Sequence, residues 1–263
     1  MTILEEILVH KRKEVTEAKE LRPIKLLERS IFYDTDSVSM RGYLSRPDKV
    51  GIIAEIKRAS PSKGMIHEHI DVEQLSIGYM QAGASALSVL SDTKFFSGSN
   101  KDVEVARKFN FCPILRKDFM LSEYQVIEAK SIGADCILLI AAALDAKTCK
   151  QLAQVAKGLG LEVLLEVHSK EEIDSHASEY IDIIGVNNRD LRDFTTDIET
   201  SIALAEHIPT DFIKISESGI SNADAILRLK SVGYDGFLIG GYFMEHGHPE
   251  DACARLIKEV LSR

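Results

Sequence analysis

The sequence predicts an α/β fold, a (β/α)8 TIM barrel with an N-terminal helical extension, on three observations. Short aliphatic or β-branched runs alternate with amphipathic stretches; eight such runs can be counted; and their starts recur at roughly 20 to 35 residues, the length of a β-α unit. Parallel strands covered by helices on both sides read as continuous apolar runs rather than as alternating ones. The alternative is an open doubly wound sheet. That fold would show a G-x-G-x-x-G turn after its first strand, and "EIKRASPSKG" does not fit the pattern.

The elements follow in order. "ILEEILVHKRKEVTEAKEL" carries apolar residues at Ile3, Leu4, Ile7, Leu8, Val15, Ala18 and Leu21, a helical stripe that Pro23 ends. "IKLLERSI" suggests a second short helix. Residues 1–50 are thus expected to be a helical extension of one barrel domain spanning 1–263, packed across a barrel end as a plug or as part of a substrate lid. The strands are "GIIAEIK" (51–57), "ALSVL" (86–90), "PILRK" (113–117), "CILLIA" (136–141), "EVLLEV" (162–167), "DIIGVNN" (182–188), "FIKISES" (212–218) and "GFLIG" (236–240). Between them, "DVEQLSIGYMQAG", "SEYQVIEAKSIGA", "DAKTCKQLAQVAKGLG" and "NADAILRLKSVGY" have helical spacing and often end at glycine.

Composition narrows the function. The chain of 263 residues is 45% hydrophobic and 28% charged, which is globular and ample for a core. A net charge of −9 argues against nucleic acid or an anionic membrane as partner, so any bound anion must meet a local cluster of positive groups. Cys112, Cys136, Cys149 and Cys253 form no C-x-x-C pair and read as reduced thiols of a cytoplasmic protein. The first residues are charged throughout, unlike a signal peptide, and the longest apolar run is too short to span a bilayer.

In a barrel of this kind the active site lies at the C-terminal ends of the strands. Polar residues gather there. Strand one ends with Glu55 and Lys57, two residues apart and so on one face; strand three ends "LRKDF", strand five "LLEVH", strand six "GVNNRDL" and strand seven "ISESG". Lys57, Lys117, Glu166, Asn187, Arg189, Glu217 and Ser218 are therefore expected to converge on one mouth. One buried Lys–Glu pair could be structural, but desolvating ions costs several kcal/mol and such pairs stabilise poorly. Five strands ending this way favour function. "ESGI" and "IGG" after strands seven and eight place small residues where backbone N–H groups could meet a phosphate, with "GYFMEHGHPEDA" offering a short helical turn. His67-x-His69 and His246-x-His248 lack a third ligand and read as loop histidines, so no metal is expected. Phe95 and Phe96 follow strand two at the mouth, either packing the core or stacking on an aromatic substrate.

Together "IIAEIKRASPSKG", "LRKDFM", "LLEVHSKEE", "GVNNRDL", "SESGI" and "FLIGGYFM" resemble the indole-3-glycerol phosphate synthase family, over nearly the whole chain. The E-I-K-R-x-S-P-S and L-R-K-D-F motifs are specific; the glycine elements are shared with other phosphate-binding barrels. The resemblance implies closure of an indole ring on 1-(2-carboxyphenylamino)-1-deoxyribulose 5-phosphate, with loss of CO2 and water and no cofactor. It assigns the general acid to Lys117 and the general base or acid to Glu166. Lys57 would meet a substrate anion with Glu55 as its carboxylate neighbour, and Asn187 and Glu217 complete the catalytic set. Ser60, Phe96, Phe119, Arg189 and Ser218 are expected to contact substrate, and Gly219, Gly240 and Gly241 to cradle phosphate. The small phosphorylated substrate would be the only partner, and a monomer is expected.

Two departures stand out. Gly241 replaces a commoner hydroxyl residue, and "LSDTKFF" replaces a commoner threonine and acidic residue; neither touches the acid or base. Rival readings are another phosphosugar barrel, such as phosphoribosylanthranilate isomerase, or a silent phospholigand-binding barrel. The isomerase resemblance would call for a cysteine near the end of strand one. A silent barrel could dispense with Lys117 and Glu166.

Overall fold

Eight all-parallel strands close into a barrel in the computed structural model, which describes residues 2–190 and 194–263. They are β1 (Ile52–Ile56), β2 (Ala86–Leu90), β3 (Ile114–Lys117), β4 (Cys136–Ile140), β5 (Glu162–Val167), β6 (Ile183–Asn187), β7 (Ile213–Glu217) and β8 (Gly236–Ile239). Each pairs with its neighbour in sequence, and β8 returns to β1 with Ala54 opposite Ile239. All eight expected strands form, each trimmed by up to two residues at its ends.

The strand period of two divides the core into two shells. Residues such as Ile52, Ala54, Val89 and Ile114 face the surrounding helices, whereas Ile53, Leu115, Leu138, Leu164, Ile183, Ile215 and Leu238 fill the interior. Continue the inward series two residues along β1, β3, β5 and β7 and it reaches Glu55, Lys117, Glu166 and Glu217. The polar groups at the mouth are thus the top layer of the same stack whose lower layers are aliphatic. A one-residue slip in register would send them all into the helical shell.

The first fifty residues cover both ends of the barrel. Helix α1 (Ile3–Leu21) starts with a capping box, in which the Thr2 side chain accepts from the Glu5 N–H and the Glu5 carboxylate accepts from the Thr2 N–H. It lies at the mouth, where Ile3, Leu4 and Ile7 line the cleft. Helix α2 (Ile24–Leu27) is shorter than "IKLLERSI" suggested. Helix α3 (Met40–Leu44), unforeseen from the sequence, plugs the opposite end: Met40 and Leu44 join the interior core, and Glu162 at the start of β5 takes the Ser39 hydroxyl at 2.6 Å and the Arg41 N–H at 2.9 Å. Plug and mouth cover are separate helices.

The loop after β1 contains a two-stranded hairpin, Ala59–Ser60 with Gly64–Met65. Arg58 ties this loop to the next unit through a two-point contact with Asp102, at 2.6 and 3.0 Å. All four cysteines are buried and unpaired. Among the described residues no helix is long and apolar enough to cross a membrane.

Candidate active site

The strand ends surround a cleft of about 560 Å³. All fourteen residues singled out in the sequence line it: Glu55, Lys57, Ser60, Phe96, Lys117, Phe119, Glu166, Asn187, Arg189, Glu217, Ser218, Gly219, Gly240 and Gly241. Leu191, the last residue of "GVNNRDL", lies outside the described residues.

Lys117 occupies the centre. Its Nζ donates to Glu166 Oε2 at 3.0 Å and to Glu217 Oε2, so one ammonium bridges carboxylates from two other strands. Asn187 Nδ2 donates to the second oxygen of Glu166 at 3.0 Å, which fixes that carboxylate from both sides. Beside this triad, Lys57 Nζ donates to Glu55 Oε1 at 2.6 Å. Burial works against the charge on Lys117, but the carboxylates of Glu166, Glu217 and Glu55 outweigh it and hold its pKa above the ordinary lysine range. The lysine is a cation at any physiological pH.

The two glutamates titrate differently despite sharing that lysine. For Glu166, burial pushes the pKa up, yet Lys117, His168 and the Asn187 hydrogen bond reverse it and leave the group below its usual range. For Glu217, burial prevails and repulsion from Glu166 adds to it; Lys117 offsets only part, and the pKa rises to about 7. The physical difference is local. Glu166 has an asparagine on its second oxygen, while Glu217 Oε1 is buried with no hydrogen-bond partner among the described residues. Of the pair, Glu217 holds the proton near neutrality.

Space for these carboxylates comes from missing side chains. A Cβ on Gly185 would stand 2.5 Å from Glu217 Oε1, and one on Gly240 would stand 2.3 Å from Glu55 Oε1. Gly240 therefore makes room for Glu55, a service besides the phosphate approach expected of it. Gly241 has nothing within 4 Å of a Cβ and opens the short helix Gly241–Met244, at the start of the turn that "GYFMEHGHPEDA" offered. Ser218 and Gly219 sit at φ 68° and 75°, turning the chain sharply after β7. Asn188, absent from the sequence reading, holds that turn by donating to the Ser218 carbonyl at 3.0 Å and to Ser216 Oγ at 2.9 Å.

The opposite wall is apolar. Phe96 and Phe119 face each other with ring centroids 6.1 Å apart, next to Leu90, Leu138, Ile140 and the first residues of α1. Phe95 points elsewhere, edge-on to His10 at 5.8 Å, and takes no part in the cleft. At the rim, Lys63 from the hairpin loop pairs with Glu245 beyond β8. Among the described residues no three His, Cys, Asp or Glu side chains gather in a way that could hold a metal ion. The arrangement offers a charged lysine with two carboxylates, a second lysine, a flat apolar wall and a corner of small residues. It can donate and accept protons beside an aromatic ring.

Buried Lys11 and Asp118 also went unread. Lys11 sits between Ile7 and Val15 at helical spacing, on the buried stripe of α1, and a lysine on an apolar stripe was the signal available.

The family described as indole-3-glycerol phosphate synthase matches residues 4–256. A protein named indole-3-glycerol phosphate synthase from Bacteroides thetaiotaomicron is 47% identical over 258 residues, covering 98% of each chain. One of the same name from Caldanaerobacter subterraneus subsp. tengcongensis is 44% identical over 244 residues, covering 92% of this chain and 93% of its own. Among solved structures, 3-hexulose-6-phosphate synthase from Salmonella typhimurium superposes with a TM-score of 0.63 at 12% identity, covering 81% of this chain and 99% of that one. That last likeness speaks to the barrel alone.

Proposed function

This chain belongs to the indole-3-glycerol phosphate synthase family, a carboxy-lyase family of tryptophan biosynthesis, and from that premise we propose how its cleft works. The substrate is 1-(2-carboxyphenylamino)-1-deoxy-D-ribulose 5-phosphate and the product is indole-3-glycerol phosphate. The observation that carries the reading is the Lys117 ammonium, held between Glu166 and Glu217 beside an aromatic wall.

The aryl ring lies against Phe96 and Phe119, and the phosphate sits in the corner of Ser218, Gly219 and Gly241. The ring carbon bearing the carboxylate attacks the ketone carbon, and the ketone oxygen takes a proton from Lys117. Lys57 meets the departing carboxylate, held in place by its hydrogen bond to Glu55. Loss of CO2 leaves its bonding pair with the ring. The hydroxyl then leaves as water on a proton given by Lys57, while Glu166, which supports the cationic intermediate, accepts the proton lost from the adjacent ring carbon as the double bond forms; Asn187 fixes the orientation of Glu166. Glu217 holds Lys117 in position through its hydrogen bond to the lysine Nζ, and Arg189 and Ser60 contact substrate.

The whole chain acts as a single barrel domain, cytoplasmic and monomeric. Sedimentation equilibrium should give a mass near 29.2 kDa at all concentrations. The reaction itself is read by indole fluorescence on mixing protein and substrate, against a low background because the chain has no tryptophan. Absence of both that fluorescence and CO2 release would remove this function.

A further inference from the structure

Lys11 is fully buried on α1, outside the reacting centre. Its Nζ stands 2.8 Å from Asp92 Oδ2, 2.9 Å from Asp118 Oδ1 and 3.0 Å from Glu14 Oε1. Burying an ammonium is costly, and a well-packed apolar side chain in the same place is often as stable or more so. A leucine would complete the Ile7–Val15 stripe. Fastening the helix therefore does not by itself account for a lysine here.

What the two aspartates do with their other bonds is informative. Asp92 caps the short helix Thr93–Phe96, accepting the Phe95 N–H on Oδ1 at 2.8 Å. Asp118 Oδ1, the oxygen facing Lys11, also accepts the Phe119 N–H at 2.8 Å; Oδ2 takes the Ser91 hydroxyl at 2.6 Å and Arg116 Nη2 at 3.2 Å. One ammonium thus joins the cap of the segment carrying Phe96 to the carboxylate that holds the backbone of Phe119. Lys117 immediately precedes Asp118, and its carbonyl accepts the Ser91 N–H at 3.1 Å. Among the described residues Lys11 is the one cation at ion-pair distance from Asp92.

We propose that Lys11 is a positioning residue: through Asp92 and Asp118 it sets the spacing of Phe96 and Phe119, and with it the fit of the substrate's aryl ring beside Lys117. This rests on the aryl substrate of the proposed function. The N-terminal helix then serves the chemistry from behind the aromatic wall as well as covering the mouth. A shift of the wall relative to Lys117 misaligns the attacking carbon, whereas the corner around Gly219 and Gly241, on the far side of the barrel, is left as it was.

The test compares wild type with Lys11→Met, which keeps length and loses charge. We expect kcat/KM for the carboxyphenylamino substrate to fall on the order of 10- to 100-fold. In calorimetry 2-aminobenzoate, an aryl probe without phosphate, should bind more weakly, while inorganic phosphate binds as to wild type. Equal weakening of both probes would mean general loosening, and unchanged kinetics would mean no role; either overturns the proposal. Should Lys11→Met fail to fold, Asp92→Asn retains the helix cap and removes one partner, and the same selective loss in smaller degree is required of it. A wild type that does not turn over the substrate would instead sink the proposed function, a result distinct from these.

Discussion

Lys117, Glu166 and Glu217 are three residues with three different electrostatic situations, and each yields its own prediction. Lys117→Ala removes the proposed acid, so kcat should drop by about 10²–10⁴-fold with the fold intact by circular dichroism; more than half of wild-type kcat would exclude the role. Glu166→Gln keeps shape and the Asn187 contact region but loses charge. It should lower kcat far more than it raises KM, and the reverse split would make Glu166 a binding residue only. Glu217 is tested through stability. Its pKa rises from 4.5 to about 7 on folding, so the folded state holds the proton more tightly. The stability this provides is complete below pH 4.5 and is lost as pH rises through about 7. Asp135, raised by burial from 3.8 to about 6, and His168, raised against its burial by Glu172 and Glu166, act in the same direction. Glu166, Glu172 and Asp118, held below their usual range, act oppositely but are ionised in both states above about pH 5. Urea midpoints should therefore fall between about pH 5 and 7 in wild type, and Glu217→Gln, which cannot ionise, should flatten the part of the fall that belongs to Glu217.

At the scale of elements, the strand ends and their loops divide the labour between charge and space. β8 ends in two glycines that behave differently. Gly240→Ala drives a Cβ to 2.3 Å from Glu55 Oε1 and 2.9 Å from Glu55 Cβ, which should cost about 1–3 kcal/mol of stability and disturb the Glu55–Lys57 pair. Gly241→Ala meets nothing within 4 Å and should leave both stability and kcat close to wild type. After β7, Gly219→Asp places a side chain at φ 75°, 3.2 Å from Thr196 Cβ, and adds a negative charge where the phosphate is proposed to sit. Its KM should rise strongly. Thermal melts and steady-state kinetics on the three variants read these outcomes; an unchanged KM in Gly219→Asp would move the phosphate elsewhere.

The whole molecule carries a net charge of −9, and the proposed substrate brings a phosphate and a carboxylate. Long-range attraction is therefore absent, and binding has to come from fields inside the cleft: Lys57, Lys117, Arg189 and the backbone N–H groups around Gly219. Inorganic phosphate should compete with substrate through that corner, measured as a rise in apparent KM with kcat unchanged. Phosphate inhibition that lowers kcat without touching KM would place the anion outside the substrate site.

Much of this was legible in the chain itself. A period of two within each apolar run fixes which residues face inward, so Ile53 below Glu55, Leu115 below Lys117 and Leu164 below Glu166 could be read without coordinates, because pleating is a local property. The recurrence of eight such runs gave the barrel, and closure then brings all eight ends to one mouth. Contacts between distant segments had no such local signature. Lys11 meeting Asp92 and Asp118, Glu217 fitting against Gly185, α3 plugging the strand starts and Asn188 holding the Ser218 turn each depend on how far apart two elements settle. Only the packed structure decides that distance. The same holds for the unequal glutamates: identical side chains at equivalent strand ends, whose proton affinities are set by neighbours that arrive from other strands.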